Sequence, residues 1–493
     1  MVSNGSAPAR NTVKIVIVGA GFAGLGMAVQ LTKAGVRDFV ILERADAVGG
    51  TWRDNTYPGC AVDVKSHLYS YSFAPNPNWS QTYAPHDELL AYTHSIVEKF
   101  GLMRYVRLNH EVEGAVWDEA DAEWRIATSQ GEYAAQFLIS ATGPLSRPVL
   151  PDIPGLESFK GTMFHSGQWD HGHDLRGERV GVIGNGSSSC QLVPQIQPVV
   201  DSLDVYQRTP SWIIPRMNRH TYAWERALYR AFPAVQRAVR FRQYWTQEAI
   251  AWTWLKKGRG RWLEGVAKWR LRKTVSDPVK RAKLTPDYDI GCKRIVISDA
   301  FWPAIDKPNV DLVTDPIVEV TEDGIRTRNA DGGTTVRKLD TIILASGYKV
   351  MPIVDPLIGR GGTTLQDEWK ETRRAFLGTA VNGYPNYFTL LGPYTFNGHT
   401  SILVWAEAQM DYIMQALDAM ERTGKRSLEV RQESQDGYTE EVRRRLQGTV
   451  WTSGGCNSWY LDPDGGTSVV FPGYTKQFVE GLKKFDPADY VLS

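Results

Sequence analysis

Val13-Lys-Ile-Val-Ile-Val-Gly19-Ala-Gly21-Phe-Ala-Gly24 decides the fold of this chain. Its first part is an almost unbroken apolar run, the pattern of a strand buried on both faces of a parallel sheet. The glycines follow at once, then a helical stretch from Leu25 to Lys33, then a second β-run from Asp38 to Leu42 that ends at Glu43. Strand, glycine turn, helix, strand and acidic residue together form a dinucleotide-binding βαβ unit, which the glycine motif alone would not establish. Gly19 permits the tight turn, Gly21 lets a pyrophosphate approach the backbone, and Gly24 lets helix pack on strand. The helix N-terminus faces the phosphates and Glu43 accepts from a ribose hydroxyl.

Outward from this unit, a second begins at Arg179-Val-Gly-Val-Ile-Gly184-Asn-Gly186-Ser187-Ser188-Ser189. Ser189 replaces the third glycine, which loosens the packing argument but leaves the phosphate site. After the next strand the acidic residue is missing, and Gln207-Arg208-Thr209 stands in its place. A cation and a hydroxyl there suit a 2′-phosphate, so NADPH is expected rather than NADH. Arg208 as a solvated surface charge is the alternative. With the first unit at the N-terminus, FAD is expected there and the nicotinamide nucleotide in the second. Phe137 to Gly143 and Thr341 to Gly347 are apolar strands ending in small residues, each expected to close one nucleotide domain. Asn386 to Pro393 is expected to return the chain to the flavin domain.

The resulting fold class is α/β: two dinucleotide-binding, Rossmann-like domains, the FAD domain discontinuous (1–145 and 385–493) and the NADPH domain spanning 146–384. The 493-residue length fits two or three domains. With 56 Lys and Arg against 55 Asp and Glu, the net charge of +1 argues against a dedicated nucleic-acid binder. No apolar run approaches the ~20 residues that span a bilayer. Met1 to Thr12 lacks a signal-peptide core. Cys60, Cys190, Cys292 and Cys456 are far apart and form no CxxC, so reduced thiols, no metal site and a cytoplasmic location are expected.

One segment breaks this even composition. From Arg216 to Lys283 there are 18 Lys and Arg against 4 Asp and Glu, a local charge of 18 − 4 = +14, with six tryptophans. A helical insertion in the NADPH domain, about 216–290, is expected. Its tryptophans would be buried in the core beneath a basic surface, or would rest with the cations on an anionic membrane as a peripheral contact.

Further motifs make the resemblance specific. Phe159-Lys-Gly161-Thr-Met-Phe-His165-Ser-Gly-Gln-Trp169-Asp170 matches the FxGxxxHxxxWD fingerprint of type I Baeyer–Villiger monooxygenases, class B flavin-dependent enzymes. Gly50-Thr51-Trp52 through Tyr57-Pro58-Gly59 to Asp63 resembles that family's GxWxxxxYPGxxxD signature. Gly291-Cys-Lys293-Arg294 resembles its active-site arginine segment, and Cys456-Asn-Ser-Trp459-Tyr its mobile C-terminal loop. The matches run in family order over nearly the whole chain.

The resemblance implies an enzyme that uses FAD, NADPH and O₂ to insert one oxygen beside a ketone carbonyl, giving an ester or lactone, with sulfoxidation as a side activity. The flavin peroxide that attacks the ketone would be stabilised by Arg294, which Asp63 would hold in a bidentate pair. Gly19, Gly21, Phe22, Ala23, Gly24, Glu43, Gly50, Thr51, Trp52, Asp63, Tyr69 and Val112 would line the flavin site. Trp52, Gly184, Gly186, Ser187, Ser188, Ser189, Gln191, Arg208, Thr209, Lys293, Arg294 and Trp459 would meet NADPH, Trp459 when its loop closes. Phe159, Gly161, His165, Trp169 and Asp170 would couple the domains rather than carry acid–base chemistry. An apolar ketone is the expected substrate. An S- or N-oxygenating flavin monooxygenase is the alternative enzyme, and a non-catalytic NADPH sensor the alternative of another kind. A disulfide reductase lacks its redox cysteine pair here.

Overall fold

A computed structural model describes residues 11–396 and 398–493; Asn397 and most of the polar Met1–Thr12 segment lie outside the described residues. Two parallel-cored sheets carry the molecule. The first contains β1 (Asn11–Val18), β2 (Phe39–Leu42), β3 (Val106–Arg107), β4 (Val112–Asp118), β5 (Glu123–Thr128) and β6 (Gly131–Ser140). The second contains β7 (Thr162–His165), β8 (Arg179–Ile183), β9 (Ser202–Tyr206), β10 (Val310–Val313) and β11 (Thr341–Leu344). β12 (Leu357–Ile358) and β13 (Tyr387–Thr389) then rejoin the first sheet. Its order is β12-β4-β5-β6-β1-β2-β3, with β13 also on β6; the second runs β10-β9-β8-β11-β7.

The apolar run that opens the chain behaves as a central strand must. β1 pairs in parallel with β2 and with β6, so Ile15 faces Phe39 on one side and Phe137 on the other. Ile15 and Ile17 enter one core, Val16 and Val18 another, one on each face of the sheet. The chain returns to the first sheet at Leu357, where β12 pairs with β4. Val354, Leu365 and Trp369 pack with Val16 and Trp117. This return precedes the 384/385 boundary expected from the sequence, because β13 was the only returning strand with a long apolar signature.

Both glycine turns are closed in the same way. Gly19 (φ +107°) and Gly184 (φ +117°) have left-handed backbones, and a Cβ would lie 2.7 Å from the Ala141 carbonyl oxygen in one and 2.4 Å from that of Ala345 in the other. The small-residue ends of β6 and β11 are therefore the floor against which the turns press. Helix α1 (Phe22–Lys33) follows the first turn and α2 (Ser187–Ile196) the second. At Gly24 a Cβ would sit 1.9 Å from the Gly19 carbonyl oxygen, so only glycine is tolerated there. Ser189 of α2 is fully buried.

The insertion is helical, as expected: α3 (Ala223–Ala231), α4 (Pro233–Ala251) and α5 (Arg261–Thr274), then a short helix Pro278–Lys283. Its α4 is fastened to flavin-side segments. Gln236 donates to His67 Nδ1 (3.2 Å) and to the Asn76 carbonyl (2.7 Å), and Arg240 donates to the carbonyls of His67, Leu68 and Ser70. Accepting from Gln236 requires neutral His67, and burial pulls its pKa down to about 4, with Arg240 and Arg219 adding to the depression and Glu225 opposing it. Because the folded value lies below the unfolded ~6.5, His67 contributes full stability above pH 6.5 and loses it as pH falls toward 4. Between pH 7 and pH 5 this amounts to about 2 kcal/mol, since each unit is worth about 1.4 kcal/mol. Urea unfolding at the two pH values should register that loss, and His67→Gln should largely abolish its pH dependence. No helix among the described residues is long and apolar enough to cross a membrane.

Candidate active site

A cleft opens at the C-terminal ends of β1 and β2, where doubly wound sheets place their ligands. Gly19, Gly21, Phe22, Ala23, Glu43, Gly50, Thr51, Trp52, Tyr69 and Val112 line it, together with Leu391, Ile402 and Leu403 from the returning segment. Gly21 and Gly50 face each other so closely that a Cβ on Gly50 would lie 3.0 Å from the Gly21 Cα. Trp52 and Tyr69 stand edge to face, 5.6 Å apart, and burial pushes the Tyr69 hydroxyl up to about 12. Glu43 is buried and accepts from the amides of Ala20 (2.8 Å) and Ala45 (3.0 Å) and from Arg53 (3.1 Å). Three of its roughly four acceptor positions are thereby filled, leaving capacity for one ribose hydroxyl. The cleft and its bare glycine backbones suit a long dinucleotide.

At the second turn, Gly186 precedes the first residue of α2, and a Cβ there would meet nothing within 4 Å. The buried hydroxyls of Ser187 and Ser189, at the same helix end, have no hydrogen-bond partner. Orphaned donors at a helix N-terminus beside open space fit a phosphate. Asn185 stiffens the turn by donating to Gln207 (3.0 Å) and to the Thr209 carbonyl (2.7 Å). Arg208 is exposed just after β9 and lies close enough to Lys293 to lower its pKa. Burial is the larger cause of that shift, and Asp287 opposes it. Two cations at such range favour an anion between them.

Asp63 and Arg294 meet, as the resemblance implied, but by a different geometry. The contact is a single one of 3.6 Å between Arg294 Nη2 and Asp63 Oδ2, not the bidentate pair expected. The reason is Gln191, whose Nε2 donates to Asp63 Oδ1 at 2.9 Å and to the Ala61 carbonyl at 3.0 Å. Its Oε1 accepts from the Tyr57 hydroxyl (2.9 Å) and the Ala61 amide (3.3 Å). The Gln191 amide thus spans from α2 to the Tyr57–Asp63 loop, and no part of it is left for a nucleotide. Burial pushes the neighbouring Cys60 thiol up to about 12.

Arg294 also lies 5.9 Å from the Phe396 ring, and Phe396 meets Trp459 at 5.4 Å, edge to face. Trp459 is partly exposed and packs on Tyr460. Phe396 escaped sequence reasoning because nothing marks one phenylalanine in a loop.

Reduced thiols were expected, yet Cys292 and Cys456 form a disulfide with their Cα atoms 6.1 Å apart across 164 residues. Cys60 and Cys190 are free and buried. Spacing could not reveal this pairing; the available signal was that each cysteine adjoins a segment of one presumed site. The bond joins the arginine segment to the Trp459 loop directly. Thiol titration of the denatured, unreduced protein should find the two free cysteines, and all four only after reduction.

The fingerprint begins as an edge strand: β7 pairs with β11 from Thr162 opposite Thr341 to His165 opposite Leu344. Gly161 is required because a Cβ would fall 2.3 Å from the Asp340 carbonyl oxygen and 2.6 Å from the Phe159 ring. His165 is buried and its Nδ1 accepts from the Gly167 amide (3.0 Å); burial pulls its pKa below the usual range and keeps it neutral. Its ring meets Tyr348 edge to face, and Tyr348 donates to Asn55 at 2.5 Å, inside the Gly50–Asp63 loop. Trp169 packs on Phe164, and Asp170 accepts from the Gly172 amide in a local turn. No cluster of His, Cys, Asp or Glu among the described residues could hold a metal.

Known proteins resemble this chain over nearly its whole length. Residues 16–218 match the model of the pyridine nucleotide-disulphide oxidoreductases. A Baeyer–Villiger monooxygenase of Streptomyces coelicolor is 43% identical over 97% of this chain and 92% of its own. One of Pseudomonas aeruginosa is 42% identical over 97% and 91%. Among solved structures, an oxidized steroid monooxygenase bound to NADP superimposes with TM-score 0.86 at 30% identity, covering 98% of this chain and 99% of the other. With that degree of identity across nearly the full length, and the two turns, the fingerprint and the Asp63–Arg294 pair in place, the chain belongs to the Baeyer–Villiger monooxygenase family.

Proposed function

We propose that this enzyme inserts one atom of O₂ next to the carbonyl of an apolar ketone, giving an ester or lactone, with FAD in the first cleft and NADPH at the second turn. The other oxygen atom leaves as water and NADPH supplies two electrons. FAD, when bound, supplies the activation of oxygen. The observation that carries the proposal is the convergence of Arg294, Asp63, Phe396 and Trp459 beside the Lys293–Arg208 pair.

Arg294 is permanently cationic and would stabilise negative charge developing at the reacting centre, while Asp63 orients its guanidinium. Gln191 would act through Asp63 as a positioning residue. Arg208, Lys293 and Thr209 would hold the 2′-phosphate of NADPH, and the Ser187 and Ser189 hydroxyls its pyrophosphate. Trp459 and Phe396 would exclude water from an apolar substrate. His165, through Tyr348 and Asn55, would transmit the position of the NADPH-binding sheet to the flavin loop. A solved relative, a cyclohexanone monooxygenase, carries bound ε-caprolactone, a lactone, which supports the ketone reading. Sulfoxidation would accompany it as a side activity. Dependence on NADPH, which is regenerated in the cytoplasm, supports a cytoplasmic location.

The test is a panel of linear, cyclic and aryl ketones offered to the yellow holoenzyme with NADPH. Faster NADPH consumption with ester or lactone as product is expected. Oxygenation of sulfides or amines alone, with every ketone untouched, would overturn it.

A further inference from the structure

The helical insertion is built inside out. On α4 the residues turned inward are polar except for Ala251 at its end: Gln236, Gln243 and Glu248 are buried, whereas Phe241, Trp245 and Ile250 are exposed. On α5, Leu263, Ala267 and Leu271 face the core at the expected helical spacing. A second apolar row, Trp262, Val266 and Trp269, runs at i, i+4 and i+7 on the solvent side, its tryptophans 57% and 60% exposed. Trp224 is 64% and Trp252 57% exposed; of the six tryptophans only Trp254, at 3%, is core. An aromatic stripe repeated on successive helices and left in water marks an interaction surface.

The charge around it is equally uncompensated. Each of the four carboxylates in the segment already has a partner, and only Glu225 takes one of the segment's cations. Glu225 pairs with Arg219 (2.7 Å), Glu248 with His399 (3.0 Å), Glu264 accepts from the Ile290 amide (3.1 Å) and Asp277 from the Val279 amide (2.7 Å). From outside the segment, Asp299 pairs with Arg270. Arg237, Arg242, Lys256, Lys257, Arg272 and Lys273 are exposed and, among the described residues, none pairs with a carboxylate. The acidic remainder of the molecule therefore does not neutralise this face.

We propose that α3, α4 and α5 dock the enzyme peripherally on an anionic phospholipid surface, tryptophans at the headgroup boundary and cations on the lipid phosphates. Tryptophan interleaved with Arg and Lys is the composition of that boundary. A second copy of this chain is disfavoured as the occupant, because it would bring two faces of the same +14 segment together. Nucleic acid would satisfy the cations but not Ile250, Val266 and Val279. Docking would bring the active site to the phase in which apolar ketones concentrate.

Co-sedimentation of the holoenzyme with phosphatidylcholine vesicles containing phosphatidylserine tests this. Binding at low ionic strength is expected, with release by high salt, a blue shift in tryptophan emission, and far weaker binding to pure phosphatidylcholine. Trp262→Ser with Trp269→Ser should weaken binding about tenfold or more while leaving turnover of a water-soluble substrate unchanged, because both residues are exposed and outside the active site. Several results would overturn the proposal. These are no binding at low salt, equal binding to neutral vesicles, and a dimer in solution that protects these tryptophans from an aqueous quencher. Duplex DNA that binds as tightly as the vesicles would likewise reassign the surface.

Discussion

Arg294→Ala should leave the protein yellow and lower ester formation about a hundred- to thousandfold. The flavin cleft is lined without Arg294, so its removal does not touch the binding surface. What it removes is the cation proposed to stabilise the developing negative charge, and loss of one preorganised donor to a developing anion costs about 3–4 kcal/mol in the transition state. Asp63 keeps its bond from Gln191, so the Tyr57–Asp63 loop should hold its shape. Arg294→Lys keeps the charge on a shorter, rounder head group and should recover only part of the rate. Product analysis by gas chromatography, alongside the flavin absorbance, separates the two effects. Ester formation above a few per cent of the native rate in the alanine variant would remove Arg294 from the chemistry.

The other large effect concerns the choice of nucleotide. Arg208→Ala should raise KM for NADPH about ten- to hundredfold and leave KM for NADH nearly unchanged, the loss of one charge-assisted hydrogen bond being worth about 1.5–3 kcal/mol. Lys293 remains in the variant and, relieved of a neighbouring cation, should be protonated more readily. Some preference for NADPH should therefore persist. Steady-state kinetics with both nucleotides decide the matter: equal changes in the two KM values would mean that Arg208 does not read the 2′-phosphate.

How far this molecule could be read from its chain depends on whether a residue's partner is near or far in sequence. The glycine turns and β1 were legible because their requirements are local: a strand buried on both faces must be apolar throughout, and a Cβ at Gly24 collides with Gly19 five residues away. The Asp63–Arg294 pair was reached only through resemblance. Its geometry was not, because the competing donor Gln191 arrives from another helix. Phe396, the early return at Leu357 and the Cys292–Cys456 bond all depend on long-range contacts. The insertion held the reverse lesson. Composition announced something unusual, but whether six tryptophans point inward or outward depends on which face of each helix the rest of the protein covers. Here hydrogen bonds donated by Gln236 and Arg240 and accepted by Glu248 claim the inner face, and the aromatic side is left outside.

The bond between Cys292 and Cys456 also acts as a leash. Trp459 lies three residues beyond an atom fixed to the arginine segment, so its Cα can travel no more than about 10 Å from that anchor. A tryptophan on so short a tether has a high effective concentration at its resting place on Phe396, and reseating it costs little chain entropy. Any swing of this loop would pivot beside Lys293 and Arg294, so a movement of the arginine segment would carry Trp459 with it.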